Sequence, residues 1–242
     1  MSETPTPQHN HLLAALPAEI QHRLFPNLEL VSLQLGEVLC ESGDILHYAY
    51  FPTDSIVSLF CDMEDGASGE TSMVGNEGLV GIELFMGGDS IPGQAIVQGA
   101  GSAYRLTQQR LKDEFNRHRE MLELLLRYTQ SLMTQMSQTA ACNRYHSVEQ
   151  QLCRLLLLSL DRVQGNRLSM TQELIANMLG VRREGITAAA GRLRELDVIE
   201  YCRGQITVLD RHKLEELSCE CYGVVKSESD RLLPHIHPLQ IN

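Results

Sequence analysis

TQELIANMLGVRREGITAAAGRLRELDVIEYCRGQITVL, residues 171–209, is the stretch whose reading decides the fold. Thr171 stands where a hydroxyl accepts a backbone N–H at a helix start, and Leu174, Ile175 and Met178 follow on one helical face. Gly180 ends that helix, because a residue without Cβ enters left-handed backbone at little cost. A second helix is expected from about Arg183 to about Leu196. Its inward face is Ile186, Ala189, Ala190, Leu193 and Leu196, and its outward face is Arg183, Glu184, Thr187 and Arg194. Beyond Asp197 the period changes from helical to extended. Val198–Tyr201 and Gln205–Leu209 flank Arg203-Gly204, a hairpin signal.

Helix, turn, helix and wing in that order form the shape of a DNA-reading module. In such a module the first residues of the second helix enter the major groove and the wing lies near the phosphates. The residues expected to touch DNA are therefore Thr171, Gln172, Arg182, Arg183, Glu184, Thr187 and Arg203. A helical pair capped by a ribbon would explain each element singly, but not a turn glycine, outward arginines and a wing together.

The formal net charge of −11 stands at odds with DNA until it is divided by region. Residues 1–109 hold 2 basic and 14 acidic side chains, whereas residues 167–213 hold 8 and 6. The acidity sits in the first half, and the reading module has only a small basic excess. Few phosphate contacts give little affinity, so two copies are expected to act together.

A self-association device is visible upstream. Leu122, Leu126, Thr129, Met133, Met136, Ala140 and Asn143 recur at alternating spacings of four and three, the period of a coiled-coil seam. Asn143 is placed to pair with its twin and fix register. A second stripe, Leu125, Tyr128 and Leu132, is left to pack within the same protomer. A twofold homodimer would set two reading helices ~34 Å apart, so the DNA target is expected to be an inverted repeat. Ser147 and Gln150 form a capping-box pattern that starts the next helix, which puts a hinge near His146 and Ser147.

From Leu28 to about Leu106 short apolar runs such as YAYFP, SIVSLFCDM and QAIVQ alternate with turn signals, as in an antiparallel sandwich, barrel or jelly-roll-like double sheet. Eight glycines lie between Gly75 and Gly101; by themselves they suit turns better than a ligand site. Ahead of this region, Leu12–Leu24 is expected to be helical, with Pro17 at a helix start. The fold class is thus α+β, with boundaries at 1–117 (antiparallel double-sheet domain, which the resemblance given below makes a β-roll sensor domain), 118–146 (dimerisation helix and hinge) and 147–242 (winged helix-turn-helix with a C-terminal helix). No run of 18 apolar residues occurs and the N-terminus lacks a basic, then apolar, leader, so a cytoplasmic protein without membrane association is expected.

This order of parts, and above all MTQELIANMLGVRREGITAAAGRLRELDVI at residues 170–199, resembles the CRP/FNR family of bacterial transcription regulators. The resemblance implies a sensor domain similar to cyclic-nucleotide-binding domains, a signal that reorients the DNA-binding domains, and three partners: double-stranded DNA, a second copy of the chain and RNA polymerase. In the reading helix, Arg183 and Glu184 match the family's first two positions, but Ala188 stands where a further arginine is expected. Members that bind cyclic AMP carry a glycine-glutamate pair and, some ten residues on, an arginine for the cyclic phosphate. Here the corresponding stretch is GNEGLVGIELFMGGDSIPGQAIV, with Glu83 one place out of register and Pro92-Gly93-Gln94 at the arginine site. No lysine or arginine occurs between Arg23 and Arg105. Ordinary cyclic-AMP binding is therefore not expected, and a different nucleotide-type or other small effector is, near Gly81, Glu83, Gly93, Gln94, Met136 and Ser137.

The seven cysteines are odd in number and scattered, which suits reduced thiols. Residues 1–39 contain none, so no iron–sulfur cluster of the family's kind is expected. Cys219 and Cys221 fall within a helix expected to begin near Asp210, and His235 and His237 lie downstream. Positions i and i+2 of a helix diverge, so core or surface thiols are expected there rather than a metal site. A cupin-like enzyme would need converging histidines on strands, and His47 is the only histidine between His22 and His118. No catalytic residues are assigned. The remaining alternative is a ligand- or protein-binding dimer that lacks DNA affinity.

Overall fold

The computed structural model describes residues 4–64 and 66–233. It is an α+β fold in which an N-terminal pair of antiparallel sheets, a long helix and a C-terminal helix-turn-helix follow in chain order. Two short helices, α1 (His11–Ala14) and α2 (Ala18–Leu24), lead in, and Pro17 caps the second. They are anchored by Asn10, which is fully buried; its amide donates to the Pro52 and Gly78 carbonyls at 2.9 and 2.8 Å.

Strands β1 (Glu29–Leu33), β2 (Val38–Cys40), β3 (Tyr48–Pro52), β4 (Ile56–Asp62) and β5 (Ser68–Val74) come next. They are followed by the single-turn helix α3 (Glu83–Met86), β6 (Gly93–Gly99) and β7 (Gly101–Thr107). One sheet has the order β1-β7-β3 and the other β2-β6-β4-β5. Leu33, Ala49, Phe51, Ala103 and Leu106 from the first sheet share a core with Val57, Val74, Ala95 and Val97 from the second. Each buried valine, leucine or phenylalanine among them contributes about 1.5–3 kcal/mol, and each alanine methyl less. Gly93 is required by close approach, because a Cβ there would stand 1.8 Å from the Phe60 carbonyl oxygen.

Helices α4 (Gln108–Arg117) and α5 (Arg119–Tyr145) close the roll. Leu124, Leu125, Tyr128 and Leu132 are buried against its core, as the second stripe required. The Tyr128 hydroxyl donates to the Leu79 carbonyl at 2.9 Å, and its ring occupies the space that a Cβ on Gly78 would need. Strand β5 is a sheet edge, and Gln135 of α5 covers it: its side-chain amide donates to Met73 O and accepts from Met73 N.

Helix α6 (Val148–Leu160) begins with the expected capping box between Ser147 and Gln150. The chain then forms β8 (Arg167–Ser169), α7 (Gln172–Leu179), α8 (Arg183–Glu195), β9 (Ile199–Cys202), β10 (Gln205–Val208), α9 (Arg211–Leu217) and α10 (Glu220–Leu232). The wing is a three-stranded sheet, β8-β10-β9, rather than a two-stranded hairpin. Leu196 departs from expectation: it is 46% exposed. The helix ends at Glu195 and Asp197 turns the chain at φ +55°, which carries Leu196 off the buried face. A single core runs from Leu155, Leu156, Ile175, Ile186 and Leu193 to Ile56, Phe60 and Met73 of the roll.

Candidate nucleic-acid interface and ligand cavity

The reading module is built by local chemistry. Thr171 accepts from Leu174 N at 3.1 Å and starts α7. Gly180, at φ +63° and ψ 33°, ends it, with Val181 N donating to Ala176 O and Gly180 N to Asn177 O. The hydroxyl of Thr187 on α8 donates to Gln172 Oε1 at 2.8 Å and ties the start of α7 to the exposed side of α8. In the wing, Arg203 and Gly204 both have positive φ, +50° and +78°, the pattern of a two-residue turn whose twist matches the strands.

Thr171, Arg182, Arg183, Glu184, Thr187 and Arg203 are exposed and Gln172 is half-buried. Arg182 caps α8 and Arg183 and Glu184 open its first turn. Among the described residues Arg182, Arg183, Arg194 and Arg203 make no ion pair, whereas Arg192 is held by Glu149 at 3.1 Å. Of these, Arg182 and Arg183 sit at a helix start and Arg203 at a wing tip, positions suited to anionic phosphate and base edges, while Arg194 lies in the last turn of α8.

On α5, Leu126 and Met133 are 49% and 59% exposed, Ala140 and Asn143 are exposed, and Leu122 and Met136 are half-buried. Thr129 is instead buried within its own chain, its hydroxyl donating to Leu125 O at 2.9 Å. Thr129 lies among Leu125, Tyr128 and Leu132, so the roll's core draws it inward.

A cavity of about 440 Å³ lies between the roll and α5. Leu59, Phe60, Ile91 and Met136 supply apolar walls, and Glu70 and Glu83 supply carboxyl groups. Glu83, Gly93, Gln94 and Met136 line it; Gly81 and Ser137 do not. Gly81 packs near Ala49 and Leu84, and the Ser137 hydroxyl turns back to Met133 O. Glu70 was not foreseen. Burial pushes its carboxyl up to about 7, partly opposed by the Ser58 hydroxyl, which donates to it at 2.5 Å. Burial likewise raises Glu83. Arg154 of α6, nearly buried, stands behind the wall and donates to Thr139 Oγ1 at 3.1 Å. Among the described residues, no lysine, arginine or histidine lines the cavity. Two carboxyls without a lining cation do not fit a cyclic phosphate, whose charge needs a direct counter-ion.

Two family models match the chain: the cyclic nucleotide-binding domain over residues 30–118 and the Crp-like helix-turn-helix domain over residues 150–217. The chain belongs to the CRP/FNR family of transcription regulators. Solved CRP/FNR-type structures share its fold. FixK2 from Bradyrhizobium japonicum is 16% identical, with a TM-score of 0.67 over 79% of this chain and 98% of its own. The c-di-GMP responsive global regulator CLP from Xanthomonas campestris is 15% identical, with a TM-score of 0.64 over 80% and 100%. A CRP-family transcriptional regulator from Thermus thermophilus is 18% identical, with a TM-score of 0.65 over 78% and 96%. No curated protein sequence matches the chain. None of the helices formed by the described residues of this CRP/FNR-type regulator is long and apolar enough to cross a membrane.

Proposed function

We propose that the chain acts in the cytoplasm as a non-catalytic, homodimeric regulator that reads an inverted-repeat operator, engages RNA polymerase, and answers to a small molecule other than cyclic AMP. The observation that carries this reading is the set of exposed, unpaired arginines at the start of α8 and the tip of the wing. The outward stripe of α5, with Leu126 and Met133, supports self-association, which compensates for the module's small basic excess.

The cavity supports a ligand that is uncharged or cationic and partly apolar, since its polar groups are carboxyls. Met136, Ala140 and Asn143 line the cavity and also belong to the outward stripe of α5, so an occupant would bear on both the roll and the self-association face. A ligand acts as a switch only if it binds the two dimer arrangements unequally. One neighbour in fold, from Xanthomonas campestris, is described as c-di-GMP responsive. The carboxyl-lined cavity here argues for a different ligand.

Selection of bound fragments from a genomic library, followed by calorimetry with cyclic mono- and dinucleotides and with neutral apolar metabolites, tests the reading. Recovery of a palindromic motif by the dimer is expected. Failure to enrich any sequence under any ligand condition would favour a ligand- or protein-binding dimer. Tight cyclic-nucleotide binding would overturn the ligand class alone.

A further inference from the structure

Cys142 and His146 sit one turn apart near the end of α5, so their side chains share a face. Cys219 and Cys221 meet them from the start of α10. The helix expected to carry this C-x-C breaks at Ser218: α9 ends at Leu217, Cys219 has extended backbone (φ −89°, ψ 164°), and only from Glu220 is the chain helical again. The two thiols therefore converge instead of diverging as i and i+2 of one helix would. What gives way is the single helix expected from near Asp210; both thiols are buried, as core thiols would be, but they face each other. His235 and His237, the histidines weighed from the sequence, lie outside the described residues.

The Cys142 and Cys219 sulfurs are 3.5 Å apart, Cys221 Sγ lies 3.6 Å from His146 Nδ1, and all four candidate donor atoms fall within 4.8 Å of one another. A tetrahedral zinc ion with Zn–S of about 2.3 Å and Zn–N of about 2.0 Å has S···S and S···N edges of about 3.8 and 3.5 Å. An iron–sulfur cubane would hold its ligand sulfurs farther apart than this group allows. The other imidazole nitrogen, Nε2, is 3.3 Å from a Glu220 carboxylate oxygen, an arrangement that orients a ligating ring and raises its basicity. Gln151 fixes the backbone beneath by donating to His146 O at 2.9 Å. Cys219 and Cys221 also stand at the start of a 13-residue helix, whose dipole favours thiolates. All three cysteines are buried together, apart from the two large apolar cores.

We propose that Cys142, His146, Cys219 and Cys221 bind a single thiophilic divalent ion, with zinc as the natural occupant, in Cys3His coordination. Binding releases the thiol protons to solvent and forms four metal–ligand bonds with no change of oxidation state. The ion would join the end of α5, the hinge at His146 and the C-terminal helix, and so restrain the angle between the long helix and the reading module. The metal site stands without the DNA-binding reading; only this mechanical consequence rests on it.

The full chain, purified reduced and without chelator, is analysed by elemental mass spectrometry and titrated with cobalt(II) as a spectroscopic probe. About one zinc per chain is expected, along with thiolate-to-cobalt charge transfer and the strong visible bands of a tetrahedral ion. Zinc should shield Cys142, Cys219 and Cys221 from alkylation while exposed Cys202 reacts. Cys219→Ser should lose the ion, Cys202→Ser should keep it, and His146→Cys should keep it with a shifted cobalt spectrum. Folded wild-type protein that takes up no zinc or cobalt overturns the site. So does a Cys142–Cys219 disulfide that forms in the presence of zinc, several irons per chain with sulfide, or equal alkylation of all four thiols with and without zinc. These readouts need no DNA, so a failed operator search leaves them intact.

Discussion

Arg162 Nη2 lies 2.7 Å from Glu77 Oε1, an ion pair that fastens the end of α6 to the loop after β5. Arg162 is 8% exposed and also donates to Leu158 O at 2.6 Å. Glu77 in turn accepts from Gly75 N. Glu77→Gln leaves a nearly buried guanidinium without its anion. A loss of about 1–3 kcal/mol in urea unfolding is expected. Arg162→Met should cost less, because Glu77 is more exposed to water. Equal loss from both variants would mean that packing, not charge, holds this joint.

Glu70 gives stability a pH dependence of known sign. Its carboxyl is raised from 4.5 to about 7, so the folded chain holds a proton that the unfolded chain has released between these values. The stabilisation is fully present below 4.5 and is lost as pH rises through about 7, a change of about 3 kcal/mol. Glu70→Gln should flatten this part of the stability–pH curve and melt higher than wild type above pH ~7. An unchanged curve would show that the carboxyl is hydrated in solution.

Arg183→Ala should cost roughly 1–3 kcal/mol on the preferred operator and broaden its sequence choice, measured by binding to single-base operator variants. Arg203→Ala, at the wing tip, should instead weaken specific and random DNA alike and lower the salt dependence of binding. Uniform weakening by Arg183→Ala would reduce that side chain to a phosphate contact.

Met133→Glu places like charges across the twofold seam proposed for α5. Dimerisation should weaken by several kcal/mol, more than about a hundredfold, in sedimentation equilibrium. Thr129→Val, at a seam position that faces the chain's own core, should leave the dimer intact. A dimer unaffected by Met133→Glu would move the interface elsewhere.

What was legible in the chain was whatever neighbouring residues decide. The Thr171 cap, the Gly180 stop, the Arg203-Gly204 turn and the Ser147–Gln150 box each act over four residues or fewer, and each stands as read. What escaped reading depends on distant partners. Strand β8 has three residues and exists only because β10 pairs with it. Glu70 becomes a cavity group only through the pairing of β5 with β4, where Phe60 stands opposite it and the Ser58 hydroxyl donates to its carboxyl. Thr129 fits the seam's spacing but is drawn inward by Leu125 and its neighbours, a choice that periodicity alone cannot make. The break at Ser218 involves neither glycine nor proline, and Cys142 meets Cys219 across 77 residues. Of the residues expected near the effector, Gly81 and Ser137 fell near the cavity in sequence but turn away in space.

Met136, Ala140 and Asn143 serve two surfaces, the cavity wall and the outward stripe of α5. If the cavity holds the proposed ligand and α5 the proposed twofold seam, substitutions there cannot adjust ligand fit without also adjusting how two copies meet. Under selection for a new signal, change is therefore channelled to the strand side, to positions such as Leu59, Thr71 and Gln94, while the helix side stays constrained. Relatives that respond to different molecules should diverge along that one wall.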